Sequence, residues 1–357
     1  MWSLLVAHIL REYSFHAIEA LVRTSARHGL ALCCGFGDDT LAYFTERLEA
    51  EGIRSALVRV LKRAKRNKAF DASLMIGLAV DGTSAGRSRS ERCRLCHPRY
   101  DAAHQVLGYR HHLSMISIVG TGLSLPFDVE AYGPGDSEYA ASQRLVHRAV
   151  KRLGRRFADY VVGDGEYATA PFLHTVSELG LHVVARLKGN LPELYAAAQK
   201  RFRSMPPTST VQIDSDCVEL WDADDFDPWE KLRWETVRVL RYRQHKADGK
   251  VCEAYWLTDF STGQLSAQTL YRLAKSRWEV ENQGFNDGKT RYGMSHIQHH
   301  HENSLVVCWL IMLLAIVVER LYRQRYLHRG KHPTRSPIQF LRLLRQDLFL
   351  TKAPDTS

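Results

Sequence analysis

Apolar residues fall at helical spacing through the first seventy positions, with Leu41, Phe44 and Leu48 following an Asp39-Thr40 helix start. Ala56 to Lys68 carries Arg59, Lys62, Arg63, Lys65, Arg66 and Lys68 around Leu57, Val60 and Leu61, which predicts an amphipathic basic helix. The pattern then changes. Leu74 to Asp81 is a near-continuous apolar run of strand length, closed by Asp81-Gly82. A polar and basic stretch from Thr83 to about Ala103 reads as a loop. His112–Val119 and Ser124–Tyr132 alternate as two strands joined by Gly120-Thr-Gly122, a hairpin. Glu138–Leu153 is helical, Asp159–Val162 is a buried strand leading into Asp164, Ala168–Leu179 is helical, and His182–Leu187 is a further strand ending at Lys188-Gly189.

From about Asn190 to Phe260, short strand-like runs separated by turn residues carry Trp221, Trp229, Trp234 and Trp256, which predicts a small β-rich insertion. Helical periodicity resumes at Leu265. The most apolar run, Leu305–Val318, falls short of the roughly 18 residues that cross a bilayer, and it predicts a buried core helix with no membrane role. A basic segment follows from about Arg323, with a loose tail after Asp347. The expected division is a helical, basic, DNA-contacting region over 1–72, a first core segment over 73–190, the insertion over 191–262, a second core segment over 263–325 and the basic segment over 326–357.

Composition narrows the class. The 357 residues, 45% hydrophobic and 25% charged, describe a globular chain able to bury a full core. A formal net charge of +10 favours a polyanionic partner, nucleic acid or an anionic membrane surface. The N-terminal stretch has no basic n-region and no small-residue cleavage site, and the seven cysteines suit a reducing cytoplasm better than a disulfide scaffold.

The candidate chemistry centres on Arg277-Trp-Glu-Val-Glu-Asn-Gln-Gly-Phe-Asn-Asp-Gly-Lys289. Glu281 lies four residues after Arg277 and four before Phe285, so a helix places the three on one face, while Glu279 points nearly opposite. Asp81 and Asp164 each end a short apolar run and precede a Gly, a way to present a carboxylate at the edge of a sheet. One sheet would gather Asp81, Asp164 and Glu281, the kind of ligand set that two-metal phosphodiester chemistry requires. Elsewhere, Cys93-Arg-Leu-Cys96-His97 has the spacing of a c-type haem site, which the absence of any export signal argues against. A zinc knuckle completed by His97 or His104 is the alternative to unpaired loop cysteines. With no second cysteine pair at knuckle spacing, unpaired cysteines are the expectation and zinc is not. His299-His300-His301-Glu302 reads as structural, Glu166 as a solvent-facing turn residue, and Arg186, Lys188 and the arginines over 87–99 as candidate phosphate contacts.

The element order and the three acids resemble the ribonuclease-H-like fold, and over roughly residues 36–320 the chain resembles a DDE transposase of a bacterial insertion sequence, in the group with a Y-R-E-K signature and a β-rich insertion before the catalytic Glu. The resembling residues are Asp81 in Val-Asp-Gly-Thr, Asp164 in Gly-Asp-Gly-Glu-Tyr-Ala-Thr-Ala-Pro-Phe, and Arg277-Trp-Glu-Val-Glu281-Asn. The resemblance implies that these acids hold Mg²⁺, with Mn²⁺ as substitute, and that Arg277 and Lys289 contact DNA phosphates near the cut. Two departures stand out: Ala274 occupies the signature Tyr position, with Tyr271 the nearest tyrosine and taken in its place as a candidate DNA contact, and Lys289 lies one position later than the pattern. The implied activity is cleavage at element ends and joining of the freed 3′-hydroxyl to target double-stranded DNA, by a homodimer on DNA in a bacterial cytoplasm. A metal-dependent nuclease without joining, and a catalytically dead DNA-binding derivative, are the alternatives.

Overall fold

The computed structural model describes residues 1–71, 73–328 and 336–350. Ten strands form one sheet. They are β1 (Gly77–Ser88), β2 (His97–Tyr100), β3 (Val106–Val119), β4 (Leu125–Tyr132), β5 (Tyr160–Gly163), β6 (His182–Leu187), β7 (Ser209–Ile213), β8 (Asp216–Phe226), β9 (Val237–His245) and β10 (Val251–Thr258). β4, β3 and β1 run antiparallel, then β5 and β6 run parallel to β1. This is the ribonuclease-H-like order expected from the sequence. β5, the central parallel strand, is short and buried throughout, as a crossover-linked strand covered by helices must be.

Thirteen helices surround the sheet among the described residues. The N-terminal set is α1 (Trp2–Leu10), α2 (Phe15–Val22), α3 (Ala26–Gly29), α4 (Asp38–Arg47) and α5 (Ala50–Arg66). The crossovers are α6 (Glu138–Leu153), α7 (Ala170–Glu178) and α8 (Pro192–Arg203). Next come α9 (Ala267–Lys275), α10 (Arg277–Glu279), α11 (Asp287–Arg291), α12 (Glu302–Tyr322) and α13 (Pro337–Leu350). Between α10 and α11, Val280–Asn286 is π-helical, so Arg277 to Arg291 is one continuous helical segment.

Three expectations are corrected. Residues 83–103 are not one loop: β1 continues to Ser88 because Thr83–Ser88 finds antiparallel partners on β3, and β2 adds a further strand. The insertion is not a separate β unit either. β10 pairs with β6 over Tyr255–Thr258, and β9, β8 and β7 extend the same sheet beyond it. The region 191–262 also holds a three-turn helix, α8, whose Leu194, Ala198 and Phe202 are buried. Finally, α13 runs to Leu350, past Asp347, where a loose tail was expected; the remainder of the tail lies outside the described residues.

The apolar run extends to a 21-residue helix, α12, long and apolar enough to cross a membrane by composition. It is instead the centre of the core, with 83% of its apolar window buried against β4, α1, α4 and α5. Asn303 at its start donates from Nδ2 to the carbonyls of Thr45, Glu46 and Leu48, satisfying the C-terminal end of α4. Leu310, fully buried on α12, is expected to cost about 2–5 kcal/mol when truncated in Leu310→Ala, while Leu343→Ala on exposed α13 costs below about 0.5 kcal/mol; urea unfolding measures both.

Candidate active site

Two aspartates meet where two parallel strands part. β1 and β5 last pair at Ala79 and Val162, and Asp81 and Asp164 each lie two residues further on. Asp81 does not end its strand, as the Asp-Gly pattern suggested. It sits mid-strand opposite Met115 of β3, and only its parallel neighbour stops. Gly82 has a different role from a turn: a Cβ there would lie 2.0 Å from the carboxylate carbon and one oxygen of Glu138. The missing side chain is what admits Glu138, the first residue of α6, beside Asp81.

Asp164 caps a single 3₁₀ turn, Gly165–Tyr167. One oxygen accepts from the Glu166 N–H at 2.6 Å, and the other accepts from Lys188 Nζ at 3.1 Å. Burial works against its charge, but these donors outweigh it and hold the carboxyl below the usual aspartate range. Glu166 supplies its backbone amide; its side chain faces solvent, as expected.

The third wall is the segment Arg277–Arg291. Arg277 Nη1 lies 3.2 Å from Asp81 Oδ2 and Arg277 Nη2 lies 2.6 Å from Glu281 Oε1, so a single guanidinium joins the strand to the helix. Glu279 faces the other way, accepting from the Gly120 N–H at 3.3 Å in the β3–β4 turn. Lys289 reaches β1 and donates to Thr83 Oγ1 at 2.5 Å. The stripe Arg277, Glu281, Phe285, Lys289 runs in steps of four. A four-residue step overshoots one α-turn and falls short of one π-turn, so the mixed segment keeps the stripe in line.

Asp81 is poorly stabilised as an anion. Burial pushes its carboxyl up to about 7, Arg277 and the Gly82 N–H oppose this, and the Glu138 and Glu281 charges add to it. Glu138 is also raised, by burial first, although Tyr167 donates to it at 3.0 Å. Four carboxylates, Asp81, Glu138, Asp164 and Glu281, thus share two paired cations, Arg277 and Lys188. An oxygen-only donor set with excess negative charge suits a hard divalent cation. Glu138 was not singled out in the sequence, where it reads only as a first-turn helical acid.

Tyr271 is a correction. It is 4% exposed, its hydroxyl donates weakly to Gln244 at 3.5 Å, and its ring meets Tyr242 edge-on at 5.1 Å. Carried on α9 and packed against the added strands, it is buried rather than presented for the DNA contact expected of it. The cysteines, expected to be unpaired, have neighbours other than the two histidines weighed for them. His97 Nε2 bonds the Tyr132 carbonyl at 2.9 Å and His104 sits at a positive-φ turn, whereas Cys93 and Cys96 meet His111 and His300. His299 pairs with Glu46 and Glu302 with Arg94.

A carboxylate cluster at the parting of parallel strands in a ribonuclease-H-like sheet, faced by a Glu from a helix, is an arrangement able to hold divalent cations for phosphodiester chemistry. The family described as transposase DDE domain matches residues 72–318, and the chain belongs to that family. No curated protein matches the chain. Among solved structures, a cryo-EM structure of a piggyBac transposase synaptic complex with hairpin DNA is similar at 12% identity and a TM-score of 0.48, over 97% of this chain and 69% of that one.

The raised Asp81 pKa has a stability consequence. The folded protein binds a proton there that the unfolded chain releases above the ordinary 3.8, so the carboxyl costs stability increasingly as pH rises from about 4 to about 7. Without added metal, Asp81→Asn is expected to unfold at higher urea than wild type at pH 8, with the difference shrinking towards pH 4.

Proposed function

We propose that the protein is a DNA transposase of the bacterial insertion-sequence type, cutting at element ends and joining the freed 3′-hydroxyl to target DNA. The observation that carries this reading is the bridge from Asp81 through Arg277 to Glu281, with Asp164 alongside. Asp81, Asp164 and Glu281 would hold Mg²⁺, for which Mn²⁺ substitutes. Divalent ions at such oxygens activate an attacking hydroxyl and stabilise a leaving one.

The chain's own groups prepare the site. Lys188 and the Glu166 amide keep Asp164 ionised. Arg277 pairs with both Asp81 and Glu281, and cations held on those carboxylates would leave its guanidinium for a scissile phosphate. Lys289, tied to Thr83, and the half-exposed Lys188 flank the acids as further phosphate contacts. Backbone contacts of this kind give affinity that falls steeply with salt and carries no sequence preference. The arginines over 87–92 extend the basic surface beyond the acids, and the basic helix α5, whose Arg59 lines a groove together with Lys151 of α6 and Arg155, supports a DNA-contacting role for the N-terminal region. Holding two ends and a target asks for more than one subunit, so the working form is a homodimer on DNA in the bacterial cytoplasm.

The test is linear DNA carrying the sequences that flank the gene, incubated with protein and Mg²⁺ or Mn²⁺. Discrete cuts at one boundary, and joined products from a pre-cut end, are expected. Asp164→Asn and Glu281→Gln should lower cleavage at least about a hundredfold while sparing DNA binding, and Glu279→Gln should stay within about threefold of wild type. Scattered nicks without joining would replace this reading with a plain nuclease. Binding without cleavage in wild type would leave only a DNA-binding derivative.

A further inference from the structure

The cysteine pair that sequence spacing left without partners lies in a four-donor cage. Cys93 and Cys96 close a turn between β1 and β2, with the Cys96 N–H donating to the Cys93 carbonyl at 3.1 Å. Their sulfurs are 3.7 Å apart. His111 of β3 points Nε2 at both, at 3.3 Å from Cys93 Sγ and 3.5 Å from Cys96 Sγ. His300, just ahead of α12, points Nε2 at Cys96 Sγ from 3.2 Å. All four donor atoms lie within 4.8 Å of one another.

These spacings match tetrahedral zinc. Bonds of about 2.3 Å to sulfur and 2.0–2.1 Å to nitrogen, at tetrahedral angles, put sulfurs about 3.8 Å apart and sulfur about 3.5 Å from nitrogen. Soft thiolates with imidazoles select zinc over the hard cations that suit the carboxylate site. We propose that Cys93, Cys96, His111 and His300 bind a structural zinc ion, releasing the two thiol protons on binding. A closed set of four protein donors leaves no open position, so this zinc is structural and does not act on substrate.

The surroundings are built for a close junction of these three segments. At Gly86 a bulge in β1 with φ +70° brings Ile297 so near that a Cβ would sit 2.8 Å from its Cγ1, which seats the chain carrying His300 against the strand. Gly133 has the Arg94 carbonyl where a Cβ would lie, 2.4 Å away, so the cysteine turn packs directly on backbone. Arg94 then donates through N and Nε to Glu302 at the first turn of α12. The zinc would fasten the strand bearing Asp81 to the chain that leaves the Glu281 segment. It would also join the two walls of an open cleft of about 740 Å³, lined by Arg87, Arg89 and Arg92 on one side and Gln298 and His299 on the other. That cleft, with its basic wall, is where the cage would fix the position of arginines for a phosphate backbone.

The experiment measures bound metal in an Asp164→Asn background, so that the carboxylate site is weakened as a competing source and failure of the catalytic reading leaves the result intact. Full-length protein, purified without chelator and dialysed, is expected to hold about one zinc per chain, and Co²⁺ exchange to give tetrahedral visible bands with thiolate charge transfer. Cys93→Ser and the partly exposed His300→Ala should each lower zinc occupancy at least about tenfold, with His97→Ala and His104→Ala unchanged, and circular dichroism checks folding. Wild-type protein that is folded yet takes up neither zinc nor tetrahedral cobalt overturns the proposal. So does zinc retained in both Cys93→Ser and His300→Ala.

Discussion

The Arg277 guanidinium is the contact on which the geometry of the carboxylate site depends. It reaches from a helix to a strand nearly two hundred residues earlier, and it touches both Asp81 and Glu281. Asp81 and Glu281, facing one another among four carboxylates, would be costlier without it, because taking an anion from water costs several kcal/mol unless it is paired. Even so, the pairing is incomplete: burial pushes Asp81 up to about 7, so its charge is met either by a proton or by an added cation. Strain of this kind, concentrated where ligands converge, is the usual cost of a preorganised site.

Other elements hold Arg277 in place. Tyr160 of β5 passes through the space that Cβ atoms at Gly77 and Gly120 would occupy, and its hydroxyl meets Ser276 Oγ at 2.9 Å, immediately before Arg277. On the far side of the segment, Arg320 from α12 is almost wholly buried. It donates to the Ser124 and Gln283 carbonyls and pairs with Asp287 at 2.8 Å. A buried Arg spread over two carbonyls and a carboxylate is satisfied only if all three stay put, so it locks the π-helical stretch to the β3–β4 turn.

What was legible in the sequence follows from range. Short-period signals carried β3 to β6, α6, α7 and the facing of Glu281 against Glu279, because each is written in neighbours two to four residues apart. Pairing partners were not written there. Thr83 to Ser88 looks like a basic loop until β3 is laid beside it, and the insertion looks separate until β10 finds β6. Glu138 reads as an ordinary helix start, and only the absent side chain at Gly82 places it by Asp81. His300 lies 204 residues after Cys96 and His111 lies 15 after it, on a different strand, so local reading weighed only the nearby His97 and His104 and left the cysteines unpaired. Tyr271 was chosen for proximity to the signature position, and its burial shows that nearness in sequence did not bring it to the site.

The helix that most resembles a membrane span explains why the distant parts stay in register. α12 is apolar on nearly every face because it is surrounded, not because it meets lipid. Its polar residues sit at the ends, and each end fastens something. At the start, Asn303 ties α4 and Glu302 ties the cysteine turn. Near the finish, Glu319 accepts from Arg11 and from the Tyr292 hydroxyl, while Arg320 holds the segment bearing Glu281. Packing fixes the axis of α12, and the terminal hydrogen bonds convert that fixed axis into positions for the N-terminal helices, the cysteine turn and the segment bearing Glu281. A single rigid rod through the core therefore couples the surfaces proposed to meet DNA to the carboxylates proposed to cut it.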